Sequence, residues 1–249
     1  DIVFSSYGSD IAEFSRSILT KEKGNHLRLL KKISARKFLK KVFSNQNQPN
    51  IKIANLKEDI NIKNCLIKPN ISSGSKGIHL INSKIRISDA IKNAQAISID
   101  GVAVLEEYIN NDGNKYYCEG LIIKNNIFLV IGCSTSSNAT LNWDGSVQIK
   151  ENNILFYTEL SYDFLIGLLK DCILKMAAVL DKDSFAFNID FFINHGDIII
   201  IEFALRPGGN LLPLVLEHTY GINHSLSYLS ILKGNPQIIY RKNKFLKMV

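Results

Sequence analysis

The chain has 249 residues, 46% of them hydrophobic, and a formal net charge of +7 at pH 7. This apolar content suits one large domain or two small ones with a buried core, and it excludes a fibrous or low-complexity protein. Scattered surface lysines are the simplest account of the charge; basic clusters could meet phosphate, but no basic motif with interleaved aromatic residues indicates nucleic-acid binding.

The four cysteines are widely spaced, without a CxxC pair or a histidine at metal-ligand spacing. That pattern indicates reduced, buried thiols and argues against a disulfide framework or a zinc site. No apolar run approaches the roughly 20 residues that cross a bilayer, and no signal peptide is evident. We therefore expect a cytoplasmic protein that binds neither a membrane nor nucleic acid.

The first forty residues predict a short strand followed by helices. The sequence opens on Asp1 in place of Met, and a strand-like run, Asp1–Phe4, precedes a helix over Asp10–Leu19. We therefore expect that an N-terminal segment is missing. A second helix is predicted over His26–Phe43, because apolar residues recur there at helical spacing and lysines cover the opposite face.

The stretch Asn64–Ile81 predicts two strands joined by a loop of small residues. The first strand ends in Lys68-Pro69, the loop runs over residues 72–77, and the second strand begins at Ile78. Backbone amides of such a loop can fold over a phosphate, with Lys68 as a cation at its base. The Walker A pattern is absent, and an ordinary flexible hairpin is the alternative.

Periodicity and turn residues predict the remaining elements. In chain order these are a helix over Ser88–Ala96 with Ser88 as N-cap, a strand over Val102–Leu105, a hairpin of Tyr116–Ile123 and Asn126–Cys133, an aperiodic loop over Ser134–Gly145, a helix over Tyr162–Leu180, the hairpin within Phe187–Gly209, and a helical region over Leu211–Leu232 interrupted near Gly221.

Two acids, Asp190 and Glu202, interrupt the apolar strands of the hairpin within Phe187–Gly209. A carboxylate in a half-buried strand is costly without a cation, so the pair indicates a bound metal or an ion pair. A loop of two or four residues would place them on opposite faces. A three-residue loop with a bulged, left-handed Gly196 would place them on one face with Asn188, and the glycine favours this reading.

Taken together, the parts from about Lys32 to Pro236 resemble the ATP-grasp superfamily. The resemblance rests on four parts in the family's order: Lys32 with Arg36 on a helix; Ile67-Lys68-Pro69 followed by Ser73-Gly74-Ser75-Lys76-Gly77; the hinge Leu105-Glu106-Glu107-Tyr108-Ile109; and the hairpin with Asp190, Glu202 and Arg206.

The resemblance implies an α+β ATP-grasp fold, in which two α/β subdomains grip ATP between antiparallel sheets. Residues 1–43 would hold the end of an N-terminal Rossmann-like domain and linking helices. The lid subdomain would cover residues 44–109, and the core subdomain with the metal site would cover residues 110–249.

The resemblance also implies roles for individual residues. Nucleotide contacts would come from the side chains of Lys32 and Lys68, the loop residues Ser73, Gly74, Ser75 and Gly77, and the backbone of Glu106, Glu107, Tyr108 and Ile109 around the adenine. Asp190 and Glu202 would bind one or two Mg²⁺ ions. Arg206, together with Lys68, would stabilise the transferring phosphoryl group or an acyl phosphate.

Three departures from the family pattern stand out. Ala204 occupies the position of the asparagine in the family's Glu-x-Asn metal motif. Lys115 aligns with an acidic residue found after the hinge, so Glu119, on the same strand face, could take over a ribose or metal contact. The family's N-terminal domain is represented only by its apparent end, Asp1 to Lys23; if the native chain is no longer than this, we expect substrate binding to be incomplete.

The implied activity is an ATP-dependent carboxylate–amine ligase. A carboxylate would attack the terminal phosphate of ATP, and an amine would capture the acyl phosphate. The segment from Arg206 to Asn210, which follows the hairpin, resembles the amino-acid-ligase branch, so amino acids or a small peptide are the expected substrates. The protein could form a homodimer. A purine-biosynthetic or carbamoyl-phosphate-type enzyme and a non-catalytic ATP-binding module are the alternatives.

Overall fold

The computed structural model describes residues 29–43, 48–55, 64–72, 74–81, 86–109, 114–135, 139–141, 147–149, 154–156, 161–194, 197–209 and 212–241. The strand and helix predicted before residue 29, and with them the Rossmann-like remnant, lie outside these residues. Two antiparallel sheets dominate the part of the chain that is described, and each is backed by a helix.

The first sheet has four strands in the order β1-β4-β2-β3. Its strands and its two neighbouring helices are α1 (Lys32–Val42), β1 (Ile51–Ile53), β2 (Cys65–Pro69), β3 (His79–Ile81), α2 (Ile87–Ile97) and β4 (Ala103–Glu107). Helix α2 buries Ile91 and Ala94 against Ile67 and Leu105 of the sheet. Alternating apolar residues on short strands, opposite one apolar helix face, therefore produce a small independent core.

The second sheet has five strands in the order β11-β10-β5-β6-β9. Its elements are β5 (Asn114–Ile123), β6 (Asn126–Thr135), β9 (Ile154–Phe156), α3 (Ser161–Leu180), β10 (Phe185–Asn194) and β11 (Asp197–Ala204). The largest core lies between α3 and one face of this sheet, where Ile173 and Met176 meet Phe187, Ile189 and Phe191.

Two further helices cover part of the opposite face of the second sheet. They are α4 (Leu212–Tyr220) and α5 (His224–Leu232). The break between them was predicted near Gly221 and is confirmed, because Gly221 adopts a left-handed φ of 65°. Asn223 then caps α5 by accepting a hydrogen bond from the Leu226 amide at 2.9 Å. No helix among the described residues is long and apolar enough to cross a membrane.

Three predicted boundaries are wrong. The aperiodic loop predicted over Ser134–Gly145 contains β7 (Ala139–Leu141), which pairs with β8 (Val147–Ile149). Helix α2 begins at Ile87 after Arg86, and no side chain caps it, so Ser88 is not the N-cap. Helix α1 begins only at Lys32, six residues after the predicted start.

Asn70 explains why α1 begins where it does. The Lys32 amide donates to the Asn70 carbonyl at 3.0 Å, and the Ile33 amide donates to the Asn70 side-chain oxygen at 3.2 Å. A residue 37 positions away thus satisfies the first orphan amides of the helix. Because this cap is distant in sequence, no local pattern indicates it.

Candidate functional site

The two predicted metal ligands lie on one face of the second sheet. Asp190 on β10 is the direct partner of Glu202 on β11, and Asn188 is the partner of Ala204. Direct partners in an antiparallel ladder project to the same side of the sheet. The predicted shared face of Asp190 and Glu202 is therefore confirmed.

The irregularity that creates this arrangement is not at the turn. Asn194 pairs with Asp197, so two residues form the turn, and the conformation of Gly196 lies outside the described residues. The register instead shifts between the pairs Phe191–Ile200 and Asp190–Glu202, which leaves Ile201 as the extra residue of a bulge. The prediction of a three-residue turn was wrong, although the two acids do share a face, as that turn was expected to produce.

Core packing accounts for the position of the bulge. Ile198, Ile200 and Phe203 all belong to the core beside α3. Strict alternation through Ile198 and Ile200 would continue to residue 202 and bury Glu202 in that core. One extra residue at Ile201 instead returns Phe203 to the core and turns Glu202 to the opposite face.

Arg36 of α1 holds the bulged edge of the second sheet. Among the described strands, β11 lies at an edge of its sheet, so none of them pairs with its outer carbonyls. The buried Arg36 guanidinium donates to the Ile200 carbonyl and, at 3.0 Å, to the Ile201 carbonyl. Two residues earlier on the same strand, the Ile198 carbonyl accepts a hydrogen bond from the Gln48 side chain at 2.9 Å. These two side chains therefore close the edge.

The same guanidinium reaches a buried carboxylate on the first sheet. Arg36 lies 3.2 Å from Glu106, and Lys68 donates to the other Glu106 oxygen at 2.6 Å. All three side chains are less than a tenth exposed. Burial alone would raise the pKa of Glu106, but the charges of Lys68 and Arg36 hold it below its ordinary value. Glu106 is therefore ionised and joins both sheets through α1.

Lys32 lies at the base of the small-residue loop. Its ammonium donates to the Ser72 carbonyl at 3.4 Å. In the loop, Gly74 and Gly77 have left-handed φ values of 69° and 70°. A Cβ on Gly77 would lie 2.8 Å from the Ile97 side chain, so glycine is required there on both counts. Ser73 lies outside the described residues.

Most hinge amides already have backbone partners. The Glu107 amide donates to the Asn50 carbonyl at 2.9 Å, and the Tyr108 amide donates to the Asn64 carbonyl at 3.0 Å. The Glu107 carboxylate accepts from the Asn50 side chain at 2.8 Å. Among the described backbone bonds none begins at the Ile109 amide, which makes it the available donor of the hinge.

A small cavity lies where these parts meet. It has a volume of about 30 Å³. Its polar walls come from Lys32, Arg36, Glu106 and Glu202. A cavity of this size admits water but not a nucleotide. The two sheets would have to separate before this junction could accept a larger ligand.

Lys115 lies against one of the two predicted metal ligands. Its ammonium is 2.8 Å from Asp190, and both side chains are mostly buried, at 17% and 16% exposure. The same ammonium lies 4.6 Å from the centre of the Tyr117 ring. Within the described residues, no group of three or more His, Cys, Asp or Glu side chains is arranged to hold a metal ion. A metal here would therefore need ligands in addition to the described side chains.

Glu119 lies in the interior, four residues after Lys115 on the same face of β5. It is fully buried and accepts from the Gly208 amide at 2.9 Å and the Asn188 side chain at 3.0 Å. His224 lies 3.5 Å from its other oxygen. Burial raises the pKa of Glu119, and these three partners offset only part of that effect.

The loop after β11 packs against Glu119 and Asn188. A Cβ on Gly208 would lie 2.6 Å from the Glu119 oxygen and 2.7 Å from the Asn188 nitrogen. The loop thereby fixes Arg206, which is buried and donates to the Pro207 carbonyl at 2.9 Å. Glu119 thus supports the loop that carries the predicted catalytic arginine.

The sequence did not predict the buried contacts that Arg36 and Lys115 make. One signal for Arg36 was present, because it sits three residues after Ile33 and three before Leu39, on the apolar stripe of the helix. A charged residue on such a stripe usually has a buried partner. Lys115 was seen only as a departure from a family pattern, and no spacing linked it to Asp190.

Comparison with known proteins gives structural likeness only. No family model matches the chain, and no curated protein matches it. Among solved structures, an L-amino acid ligase from Bacillus licheniformis aligns with a TM-score of 0.62 at 15% identity, covering 94% of this chain and 55% of its own. D-alanine–D-alanine ligase from Helicobacter pylori aligns with a TM-score of 0.59 at 16% identity, covering 92% of this chain and 67% of its own.

A third likeness is to a structure that contains nucleotide. The biotin carboxylase domain dimer of Hydrogenobacter thermophilus 2-oxoglutarate carboxylase, solved with MgADP, ADP and bicarbonate, aligns with a TM-score of 0.59 at 16% identity. It covers 91% of this chain and 53% of its own. The chain thus spans little more than half of two of these relatives, and the likeness concerns the fold.

Proposed function

Because the chain has the ATP-grasp fold, we propose that it is an ATP-dependent carboxylate–amine ligase that activates a small carboxylate as an acyl phosphate. The observation that carries the proposal is the direct pairing of Asp190 with Glu202 on one face of the second sheet. Two opposed acids on otherwise apolar strands are costly, and a bound cation offsets that cost.

The two carboxylates fit magnesium. Mg²⁺ is a hard cation that proteins commonly bind through one or two carboxylates, with substrate phosphates and water completing the octahedron. Among the described residues, no third His, Cys, Asp or Glu joins the two acids in a metal-binding group, and a pair of carboxylates matches that donor set. When bound, the ion would neutralise charge on the phosphates of ATP.

Cations at the junction of the two sheets would hold the phosphates. Lys68 forms a buried ion pair with Glu106, and Lys32 lies at the base of the loop that contains Gly74 and Gly77. The exposed residues 74–76 of this loop could close over the triphosphate as a lid. The Ile109 amide would donate to the adenine edge. Since the present cavity is only about 30 Å³, nucleotide entry would require the sheets to move apart.

The chemistry would need positioning and charge neutralisation more than a covalent nucleophile. An oxygen of the substrate carboxylate would attack the γ-phosphorus of ATP, and the bond to the bridging oxygen would break to release ADP. An amine would then attack the acyl phosphate, releasing phosphate and a proton. Arg206 would stabilise the negative charge that these steps develop.

Amino acids or a small peptide are the proposed substrates, in the cytoplasm. This choice rests on the exit sequence from Arg206 to Asn210 and on the names of two structural relatives, an L-amino acid ligase and a D-alanine–D-alanine ligase. A non-catalytic ATP-binding module is the second candidate, and it is favoured by the Lys115 ammonium, which already neutralises Asp190.

ADP release separates these candidates. The 249-residue chain is incubated with ATP, Mg²⁺ and pooled amino acids and dipeptides, and ADP is measured with each pool added or omitted. A ligase releases ADP faster when its carboxylate substrate is present. ATP binding without stimulation by any pool would support the binding module and reject the ligase.

A further inference from the structure

We propose that His224 is a positioning residue for Arg206, on which it acts through the buried carboxylate of Glu119 and the backbone of Gly208. The inference rests on the proposed function, because that function gives Arg206 its role in charge stabilisation. Its basis is a chain of contacts between described residues, and these contacts can be tested without catalysis.

Glu119 joins two parts of the candidate site through one of its oxygens. Oε2 accepts from the Gly208 amide at 2.9 Å and from the Asn188 side chain at 3.0 Å. Gly208 belongs to the loop after β11, and Asn188 lies two residues before the predicted metal ligand Asp190 on β10. A displacement of this carboxylate would therefore release the loop from the strand that carries the acid.

The other oxygen of Glu119 faces His224. Oε1 lies 3.5 Å from Nε2 of His224, and the two side chains are 0% and 1% exposed. In the part of the chain that the structure describes, neither this oxygen nor either ring nitrogen has a hydrogen bond. Polar atoms buried so deeply are costly without a partner. An approach of about 0.5 Å would bring the pair to an ordinary hydrogen-bond distance.

Charge explains why Glu119 needs this partner. Burial raises the pKa of Glu119, and His224 is foremost among the groups that lower it. An ionised carboxylate accepts a stronger hydrogen bond from an amide than a protonated one does. By stabilising the ionised carboxylate, His224 strengthens the contact between Glu119 and the Gly208 amide.

The fold fixes the position of His224 itself. His224 is the first residue of α5, and its amide donates to the buried carboxylate of Glu217 at 2.9 Å. The preceding residue, Asn223, caps the same helix by accepting from the Leu226 amide. An anchored helix end therefore presents the histidine ring to Glu119.

The loop carries Arg206 two residues before Gly208. The Arg206 side chain is buried and donates to the Pro207 carbonyl at 2.9 Å, so its direction depends on the backbone of this loop. We therefore expect that release of Gly208 from Glu119 misplaces the guanidinium. A misplacement of about 1 Å in an active site can cost about a hundredfold in rate.

Four variants test the inference. His224→Leu removes both ring nitrogens, whereas His224→Gln keeps a donor at nearly the same reach as Nε2. His224→Asn keeps the amide group but is one methylene shorter, so it replaces the leucine variant should that variant be unstable. His218→Leu is the matched control, because His218 is an exposed histidine on the neighbouring helix α4.

Hydrogen exchange at the Gly208 amide, followed by nuclear magnetic resonance, requires no catalysis. We expect exchange at least about tenfold faster than wild type in His224→Leu and His224→Asn. His224→Gln and His218→Leu should stay within about twofold of wild type. Equal exchange at Gly208 in the wild type and all His224 variants would overturn the inference. An equal acceleration throughout the second sheet would also overturn it, because that result indicates a general loss of stability.

Carboxylate-stimulated ADP release adds a kinetic measurement. We expect kcat of His224→Leu to be at least about tenfold below wild type, with KM for ATP within about twofold, and His224→Gln to restore the rate. Unchanged kcat in an active His224→Leu would overturn the inference alone. A chain without stimulated ADP release, but with faster Gly208 exchange only in the leucine and asparagine variants, would reject the ligase function and keep the coupling of His224 to the Arg206 loop.

Discussion

Replacement of Arg36 by methionine removes the link between the two sheets. Arg36 is 2% exposed, and its guanidinium donates to the carbonyls of Ile200 and Ile201 and to the Glu106 carboxylate. Methionine has a similar length but no donor. The variant therefore keeps most of the packing volume and loses all three interactions.

The expected cost follows from these three interactions. Each buried carbonyl left without a donor costs about 1 kcal/mol at the low end of the usual range. Breaking one side of a buried ion pair costs about 3 kcal/mol at the low end, which applies here because Lys68 still neutralises Glu106. Together these values predict that the free energy of unfolding falls by about 5 kcal/mol. Arg36→Lys keeps the charge and should lose about half as much.

Urea unfolding of three variants measures this cost. Arg36→Met, Arg36→Lys and the control Lys37→Met are compared at equal m-values. Lys37 is the exposed neighbour on the same helix, so its loss should change stability by less than about 0.5 kcal/mol. Hydrogen exchange should also become faster at Ile201 in the Arg36 variants. A loss below about 1 kcal/mol in Arg36→Met would show that the guanidinium does not hold the sheets together.

Two further predictions concern Glu119 and Gly208, which lie beside the candidate site. Since burial raises the pKa of Glu119, the folded state holds more protons than the unfolded state between pH of about 4.3 and that raised pKa, so stability falls as pH rises through this window. Glu119→Gln should remove this fall in pH-dependent unfolding, and an unchanged slope would contradict it. Gly208→Ala should cost about 1–3 kcal/mol, because its Cβ would lie 2.6 Å from Glu119 and 2.7 Å from Asn188. The control Gly167→Ala, where nothing lies within 4 Å of the added Cβ, should be neutral or stabilising. Thermal unfolding of the two alanine variants measures the difference, and equal losses of stability in both variants would refute the packing argument.

Local patterns predicted most helices and hairpins of the described chain. The helix from Ser161 to Leu180 and the hairpin of β5 and β6 agree with their apolar periods and turn residues to within two residues. The bulge was also recoverable in principle. Ile200, Ile201, Glu202 and Phe203 break the alternation of β11, and only an extra residue keeps Phe203 inside and Glu202 outside.

Contacts between distant residues were not predictable in this way. Asn70 caps a helix from 37 residues away, Arg36 contacts carbonyls 164 and 165 residues away, and Lys115 contacts Asp190 across two strands. Periodicity reports which face of an element is buried, but it does not say which element lies opposite. The resemblance to a family supplied candidate ligands, whereas the pairing of Lys115 is a property of this chain.

Trapping of an acyl phosphate tests the central claim most directly. The chain is incubated with ATP, Mg²⁺, pooled amino acids and hydroxylamine, which converts an acyl phosphate to a hydroxamate. The proposed function predicts equal amounts of hydroxamate and ADP. Glu202→Gln should abolish both products, whereas Asp171→Asn, an exposed acid on the far helix, should leave them unchanged. ADP formation without any hydroxamate, or equal product from Glu202→Gln and wild type, would contradict the assignment of this site to carboxylate activation.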